Sequence, residues 1–373
     1  MMQRLHRPSV WRHGCSWLLV AALALGGLLS GIVLTAPAAR GGTVRGPIAI
    51  VGNAGFTAAN GVTNGSGSLA DPYVIEGWSI DTPFTYGIYV ANTTAAFVIR
   101  NVTARPGYGY AGILLKNVTN GRVEDTTSFT ALGIEDSARV SVSRINLPDG
   151  PVYVTRSTDI VVGNVSVRGA SISGSSRVVF QDNRVLSFNS GVFFMFDPSD
   201  PSRRGSNYTI LRNRFTPISP WIVYVQGVDG ITIADNEFSQ LAVDISDISL
   251  GTIRNNTVSD VRWYNGNPGS LSLQASRNVE ISDNRISGEW GTSLRIGTSD
   301  NLTVSGNNIT NQGGGFGFQD STNATVRANR VTGLGIWVRG TELSHYATHT
   351  FGTDNLVNGL PFAAYKNCTD LTV

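Results

Sequence analysis

An asparagine that recurs about every 20 residues is the feature that most constrains how this chain folds. The separations between neighbouring copies include 19, 23, 20, 23 and 22 residues, with longer gaps of 30 and 28 residues. A period of about 20 to 23 residues with occasional insertions is typical of a solenoid, in which each repeat packs only on its neighbours. The recurring asparagines are Asn101, Asn164, Asn183, Asn213, Asn236, Asn256, Asn284, Asn307 and Asn329.

Each repeat contains short apolar segments that are separated by small polar turns. Gly112-Ile-Leu-Leu is such a segment, and Ser276-Arg-Asn278 is such a turn. The apolar positions are mostly Val, Ile and Phe, which favours strands over the regular leucines and helices of leucine-rich repeats. The 43 glycines also disfavour helix. The pattern therefore predicts an all-β chain, a right-handed single-stranded parallel β-helix of about a dozen coils.

The recurring asparagine has a structural interpretation in such a solenoid. Asparagine tolerates the left-handed backbone conformation and bonds nearby backbone, so it suits a bend between strands. Stacked copies would bond one another in a ladder, which satisfies amides that are buried. We therefore predict that all nine asparagines form a structural ladder.

The N-terminal residues have the composition of an export signal. Arg4, Arg7 and Arg12 precede an apolar run over 17–34, and small residues follow. Because about 18 apolar residues can also span a bilayer, residues 1–39 are predicted to be a signal peptide or an N-terminal membrane anchor. Residues 40–71 are predicted to be a capping segment and 72–373 the β-helix, and the protein is expected outside the cell or at its surface.

Composition excludes some classes of protein. Charged residues are 14% of the chain and the net charge is +2, with no basic stripe of the kind that binds nucleic acid. Cys15 lies in the leader and leaves Cys368 alone, so an intrachain disulfide is not expected after leader removal.

Two further segments carry a family resemblance. The stretches Pro47-Ile-Ala-Ile-Val-Gly-Asn-Ala-Gly-Phe56 and Asp71-Pro-Tyr-Val-Ile-Glu-Gly-Trp78 resemble archaeal-type surface β-helix proteins. Asp354-Asn-Leu-Val-Asn-Gly-Leu-Pro361 resembles a segment of NosD-like chains, which are exported and associated with copper. The fold of these right-handed parallel β-helix repeat proteins is shared with carbohydrate-binding and sugar-hydrolase β-helices and with pectate lyases. The resemblance implies an exported, glycan-related protein.

Candidate catalytic acids are few. Asp182, Asp235 and Asp283 each precede a recurring asparagine, and stacked carboxylates could act in pairs as glycosidases require. Solvated turn residues are the favoured interpretation, because Asp is an ordinary turn former. The polygalacturonase signatures of paired Asp, Gly-His-Asp and Arg-Ile-Lys are not found, so we lean towards a non-enzymatic protein.

Metal ligands are also sparse. Asp197 and Asp200 are candidate Ca²⁺ ligands, although Ca²⁺ takes six or more oxygens. Copper prefers His, Met or Cys, and outside the leader the sequence offers His345, His349, Met195 and Cys368, of which the two histidines are the candidate pair. No cofactor is predicted, and Ca²⁺ and copper stay open as alternatives.

Aromatic residues suggest a binding face. Four follow the post-asparagine segment of their coils and are predicted to emerge on one side, where they could stack on sugar rings: Trp221, Trp263, Tyr264 and Trp290. Packing within the core or a loop is the alternative, and exposure decides between the two.

Sequons and the end of the chain complete the predictions. Asn207, Asn301 and Asn323 are the predicted acceptors of N-linked glycans, whereas Asn101 and Asn164 are expected to be buried. The chain stops in a predicted strand at Leu371-Thr-Val373, which indicates end-to-end pairing with another chain or a short gene model.

The sequence thus favours an exported, non-enzymatic cell-surface β-helix scaffold and leaves binding of polysaccharide or glycan on one face as an open role. The alternatives are a polysaccharide lyase or glycoside hydrolase and a NosD-like copper-associated accessory protein. The membrane is a predicted partner only through the N-terminal segment, and no nucleic acid is expected.

Overall fold

The computed structural model describes residues 42–186, 192–216, 222–261, 269–288, 292–311, 314–362 and 364. The chain divides into two units, Met1–Arg40 and Gly41–Val373, and every described residue belongs to the second. The predicted signal or anchor segment, 1–39, therefore lies outside the described residues. Within those ranges, no helix combines the length and apolar character needed to cross a lipid bilayer.

The described chain is a right-handed parallel β-helix of about 11 turns. One coil comprises Ile88–Thr93, Phe97–Arg100 and Thr103–Pro106, each paired in parallel with strands of the next coil. Strand pairing follows three lines along the axis, which we call sheets 1, 2 and 3 in the order of the three strands of this coil. The predicted fold class is confirmed.

The strands of each sheet follow one another in chain order along the axis. Sheet 1 contains Ile48–Val51, Ile88–Thr93, Ile113–Val118, Leu132–Glu135, Val192–Met195, Ala242–Ile248, Leu271–Gln274, Thr292–Gly297, Gly315–Gln319 and Ile336–Arg339. Sheet 2 contains Tyr73–Glu76, Phe97–Arg100, Thr158–Gly163, Ser176–Gln181, Gly205–Leu211, Gly251–Arg254, Arg277–Ser282, Asp300–Ser305, Thr322–Arg327 and Thr350–Phe351. Sheet 3 contains Thr43–Arg45, Trp78–Thr82, Thr103–Pro106, Arg184–Val185, Arg214–Phe215, Glu237–Ser239, Thr257–Val261, Arg285–Gly288, Asn308–Asn311, Arg330–Thr332 and Leu356–Val357.

Long strands bend at the corners and contribute to more than one sheet. They are Gly121–Ser128, Ala138–Thr155, Ser166–Ser173 and Ile222–Ala234. Leu360–Pro361 pairs antiparallel with Leu356–Val357. Short helices occur at Asn53–Gly55, Ala58–Asn60 and Ser344–Ala347. The first described strand, Thr43–Arg45, already pairs with the coil that follows, so the described β-helix includes residues of the segment predicted as a cap.

The core is a continuous stack of inward-facing apolar side chains. In the sheet 1 portion of Ile222–Ala234, Val223 and Val225 point inward and are buried, while Tyr224 between them points outward. Aromatic rings also stack between coils, as Phe215 and Phe238 do with centroids 4.8 Å apart and planes 8° from parallel. The period-two alternation of strands therefore fixes which residues face solvent in every coil.

Seven of the recurring asparagines line the corner between sheets 2 and 3 from inside. They are buried, and the Oδ1 atom of each accepts a hydrogen bond of 2.9–3.0 Å from a backbone N–H one coil earlier. Asn355 continues the column by accepting from the backbone of Asn329 at 3.1 Å. The ladder comprises Asn183, Asn213, Asn236, Asn256, Asn284, Asn307, Asn329 and Asn355.

Asn101 and Asn164 do not belong to this ladder, so their prediction was wrong. Both are exposed and left-handed, with φ of 50° and 56°. They occupy the corner position one residue earlier, and the interior positions of their coils are taken by Val102 and Val165. Asparagine suits both positions for different reasons, because it tolerates left-handed backbone and also bonds buried backbone.

A second ladder, built mostly from serine, lines the corner between sheets 1 and 2. Ser157 Oγ accepts from the backbone of Ser137, and Ser175 Oγ accepts from the backbone of Ser157, at 3.1 and 3.0 Å. The hydroxyl of buried Tyr208 then takes the place of serine and accepts from the backbone of Ser175 at 3.1 Å. The two ladders hold the corners rigidly, so the outer faces of the sheets are fixed platforms.

Candidate binding face

The three candidate acids lie at left-handed corner positions and do not converge. Asp182 accepts two hydrogen bonds from Arg212, at 2.7 and 2.8 Å, and Asp235 accepts one from Asn255. Arg212 and Asn255 occupy the intervening coils, so neighbouring carboxylates are two coils, or about 10 Å, apart. The Arg212 guanidinium lowers the pKa of Asp182, whereas a general acid needs a raised pKa. Asp182, Asp235 and Asp283 are corner residues.

The candidate Ca²⁺ ligands cap their own turns. Oδ1 of Asp197 accepts from the backbone and hydroxyl of Ser199, at 2.9 and 2.7 Å. Oδ1 of Asp200 bonds Ser202 in the same way, at 3.2 and 2.6 Å. These are local side-chain turns of the kind that Asp commonly forms.

The two histidines are separate and engaged with backbone. Nδ1 of His345 accepts from the backbone of Thr341 and Glu342, at 3.2 and 3.1 Å. His349 is buried, and its Nδ1 accepts from the backbone of Ala324 at 3.2 Å. Across the described ranges, no three His, Cys, Asp or Glu side chains are grouped so that they could hold a metal ion.

The predicted aromatic row falls on residues that the structure does not describe. Trp221, Trp263, Tyr264 and Trp290 all lie outside the described residues. The described part of sheet 1 nevertheless presents a different set of aromatic and polar side chains, which the sequence analysis did not single out.

One register position of sheet 1 forms a column of outward-facing residues. Strand pairing aligns these residues coil by coil. We call the following set the outer column: Phe193, Tyr224, Asp244, Ser272, Arg295, Gly317 and Trp337. Two residues further along each strand, the same pairing aligns a second set, called here the amide column: Met195, Gln226, Ser246, Gln274, Gly297, Gln319 and Arg339.

Aromatic platforms bound the outer column at both ends. The rings of Phe193 and Tyr224 stack with centroids 5.6 Å apart and planes 4° from parallel. At the other end the Trp337 ring lies across Gly317, where a Cβ atom would approach Cε2 and Cζ2 to 2.0 Å. The guanidinium carbon of Arg339 lies 5.4 Å from the Trp337 ring centroid. Tyr224 and Trp337 are five coils apart, or about 24 Å along the axis.

The centre of the outer column is polar. Nη2 of Arg295 donates to Gln319 Oε1 at 2.8 Å, and Nε2 of Gln274 donates to Ser272 Oγ at 3.3 Å. Oδ1 of Asp244 is buried and has no hydrogen-bond partner among the described residues. Burial raises the pKa of Asp244, against the opposing hydrogen bond from Ser272 and charge of Arg295. Buried polar atoms are normally paired, so this carboxylate is suited to accept a bond from a ligand.

The raised pKa of Asp244 gives a testable effect on stability. Because the folded chain binds this proton more tightly than the unfolded chain, the ionised carboxylate costs stability as the pH rises through the folded pKa. We expect Asp244→Asn to stabilise the protein by about 1 kcal/mol near pH 7, since it removes a charge whose burial Ser272 and Arg295 only partly offset. Near pH 3 the difference should disappear, because Asp244 is then protonated in both states.

Asp182→Asn is the matched control for this measurement. The pKa of Asp182 is lowered by Arg212, so the carboxylate contributes stability above its unfolded pKa and loses it as the pH falls. This variant should therefore lower the thermal unfolding midpoint near pH 7. Equal unfolding midpoints for wild type and Asp244→Asn at both pH values would contradict a raised pKa for Asp244.

The same face carries a further aromatic group in the first coils. The Tyr86 ring stacks on Tyr89 and meets Tyr110 edge-on, each with centroids 5.6 Å apart. Phe84 and Tyr108 beside them are almost wholly exposed. Exposed apolar patches on a soluble protein often mark interaction sites.

The outer and amide columns, as defined above, contain one carboxylate. Asp244 is the single Asp or Glu in the outer and amide columns from Phe193 to Trp337. Glycoside hydrolysis uses two carboxylates, about 5 to 9.5 Å apart, that flank the scissile bond. Flat aromatic rings with hydroxyl, amide and guanidinium groups between them instead suit recognition of sugar rings, which present both C–H faces and hydroxyls.

Comparisons with known proteins agree with the fold. A family described as right handed beta helix region matches residues 202–351, which is less than half of the chain. No curated protein sequence gives a significant match.

Solved structures with a similar fold are distant. The Dettilon tailspike protein is 12% identical with a TM-score of 0.40, and the alignment covers 78% of this chain and 61% of the tailspike. PfbA, a surface adhesin of Streptococcus pneumoniae, is 11% identical with a TM-score of 0.40, over 75% of this chain and 84% of PfbA. An Azotobacter vinelandii mannuronan C-5 epimerase A-module is 13% identical with a TM-score of 0.36, over 84% and 92%. Similarities this distant do not indicate a function.

Proposed function

We propose that this protein is an exported cell-surface β-helix that binds polysaccharide along the outer face of sheet 1 without cleaving it. The observation that supports the proposal is the outer column, in which Asp244, Ser272 and Arg295 lie between two aromatic platforms. Successive coils place one side chain about every 4.8 Å, so the column offers a linear series of contacts to a linear polymer.

Each part of the column has a role in this proposal. Tyr224 and Trp337 provide apolar surfaces for the C–H faces of sugar rings, a contact driven by the burial of apolar area. Asp244 and Arg295 bond hydroxyl or carboxyl groups of the sugars between the platforms, and Gln274 bonds them from the amide column. The half-buried positions of these groups reduce competition from water, which strengthens each polar contact.

Binding to a panel of neutral and acidic polysaccharides tests this proposal. Affinity electrophoresis should show retardation by at least one polymer, and calorimetry then gives the dissociation constant. We expect Tyr224→Ala and Trp337→Ala each to weaken that binding about tenfold, and the double variant about a hundredfold.

Val161→Ala is the control variant. Val161 is 39% exposed on the outside of sheet 2, close to the 37% exposure of Tyr224, so it tests the loss of an exposed apolar side chain on another face. Unchanged affinity in the double variant would contradict the proposed site. Release of reducing or unsaturated sugars from the bound polymer would contradict the non-enzymatic role and favour the lyase or hydrolase alternative.

Export and surface location form part of the same proposal. Their support is the basic, apolar and small-residue order of residues 1–39. Fractionation of the native cells tests it: the protein should be found in the surface or extracellular fraction, and recovery in the cytosol would contradict it. Among the described residues, no group of three His, Cys, Asp or Glu side chains supports the copper-associated alternative.

A further inference from the structure

Asn207 begins a sequon at the corner between sheets 1 and 2. The motif is Asn207-Tyr208-Thr209, and Asn207 is exposed with a left-handed φ of 54°. Tyr208 points inward and is 2% exposed, with its hydroxyl held by the backbone of Ser175. Because alternate residues of a strand share a face, Asn207 and Thr209 both point outward. The buried tyrosine therefore fixes the acceptor amide and the sequon hydroxyl on the outer surface.

A groove extends from Asn207 across the next two coils. The next coil carries Gly230 at the aligned position, where a Cβ atom would lie 2.8 Å from Asn207 Oδ1. Thr232 and Thr252 lie along the groove, and Leu250, which is 61% exposed, lies at its far end. The lining residues are Asn207, Tyr208, Thr209, Gly230, Ile231, Thr232, Leu250, Gly251 and Thr252.

The Asn207 amide differs from those of the other two predicted acceptors. Nδ2 of Asn301 donates to Asn278 Oδ1 at 2.6 Å, and Nδ2 of Asn323 donates to Asp300 Oδ1 at 2.7 Å. Nδ2 of Asn207 donates to no other described residue. Both of those amides donate to the coil before them, whereas the aligned residue in the coil before Asn207 is Arg177, which donates to Asp159 and offers no acceptor.

We propose that Asn207 carries an N-linked glycan whose first sugar lies in this groove, between the threonine hydroxyls and Leu250. The sugar donor is an oligosaccharide linked to a polyprenyl phosphate or pyrophosphate, supplied by the export pathway. Nδ2 of Asn207 forms a bond to C1 of the first sugar while the bond from C1 to the phosphate oxygen breaks. The phosphate leaves with the bonding electrons, and the amide nitrogen loses one proton to a base.

The groove explains why a sugar would be held here. Thr232 and Thr252 present hydroxyls from successive coils, which can bond sugar hydroxyls, and Leu250 offers an apolar surface to the C–H face of the ring. The groove runs along the outside of sheet 2, whereas the outer column lies on sheet 1. The attached glycan therefore leaves the proposed polysaccharide-binding face open, while the modification itself rests on the proposed export.

Glycopeptide mass spectrometry of the protein purified from its native host tests the modification. We expect a hexose- or hexosamine-containing adduct on the peptide that contains Asn207. Thr209→Ala should abolish the adduct and Thr209→Ser should keep it, since the serine variant preserves the sequon with nearly the same side chain. Unmodified Asn207 in the native protein would overturn the proposal.

A separate experiment tests whether the first sugar lies in the groove. An amidase that cleaves the bond between Asn and the first sugar should release the glycan several-fold more slowly from folded protein than from denatured protein. Aspartate tolerates the left-handed backbone, so Gly230→Asp places a side chain in the groove without creating a second sequon, and it should accelerate release from folded protein. Equal release from the folded, denatured and Gly230→Asp forms would overturn the proposed seat.

Discussion

Replacing Asn284 by leucine is expected to lower the free energy of unfolding by about 2–5 kcal/mol. Oδ1 of Asn284 accepts from both the backbone N–H and the Nδ2 of Asn256, each at 2.9 Å. Its Nδ2 donates to the Ile253 and Ser282 carbonyls and to Asn307 Oδ1, at 2.8, 2.9 and 3.0 Å. Leucine has a similar volume but bonds none of these groups, which stay buried without water.

Chemical unfolding followed by circular dichroism measures the loss in the free energy of unfolding. Hydrogen exchange at the backbone amide of Asn256 shows whether the bond to Asn284 is the one that is lost. Asp283→Asn is the control, because it changes the adjacent corner residue, keeps a side chain that tolerates left-handed backbone and leaves the ladder bonds intact. It should shift stability by less than about 0.5 kcal/mol. If Asn284→Leu were as stable as this control, the ladder would not be a principal source of stability.

Gly317→Ala is expected to weaken polysaccharide binding about tenfold, as much as removal of the Trp337 ring itself. A Cβ atom at Gly317 would approach the Trp337 ring to 2.0 Å, so the indole must leave its position against the sheet. The indole would then no longer lie across Gly317 at the end of the outer column. The prediction follows from steric exclusion, since the new methyl group does not itself contact the polymer.

Gly163→Ala provides a matched control for the glycine substitution. A Cβ atom there meets Gln181 at 3.5 Å, an ordinary contact, on the outside of sheet 2. This variant should bind polysaccharide as the wild type does. Near-ultraviolet circular dichroism of Gly317→Ala should change while the far-ultraviolet spectrum is retained. Wild-type affinity combined with that change would exclude Trp337 as a binding platform.

The coil architecture follows from the sequence because its determinants are local and repeated. Strand-forming triplets, turn residues and the buried amide recur with one period, so every repeat predicts the same coil. The ladder position is less certain from sequence, because Asn164 and Asn183 follow similar apolar segments. The residues that follow separate them: Asn164 is followed directly by inward-facing Val165, which takes the ladder position, whereas Asn183 is itself inward and lies two residues before inward-facing Val185.

The outer column could be predicted only in part. Its members lie between two inward-facing apolar residues, as Asp244 does between Val243 and Ile245 and Arg295 does between Leu294 and Ile296. That pattern identifies outward-facing positions within one strand. Alignment between coils also depends on insertions of unequal length, and the sequence does not show at which corner of the coil they lie. The proximity of Asp244 and Arg295 therefore could not be predicted from the sequence.

The ladders also determine how the length of this protein can change. Every asparagine in the ladder accepts a hydrogen bond from the coil before it through the same atoms. Any coil can therefore follow any other with the same hydrogen bonds between them. Duplication or loss of one repeat of about 20 residues would shift the two aromatic platforms apart or together by about 4.8 Å and leave their chemistry unchanged. The number of repeats would then set the distance between the two platforms. Unequal recombination, which changes that number, would therefore change the length of sugar chain that the proposed face spans.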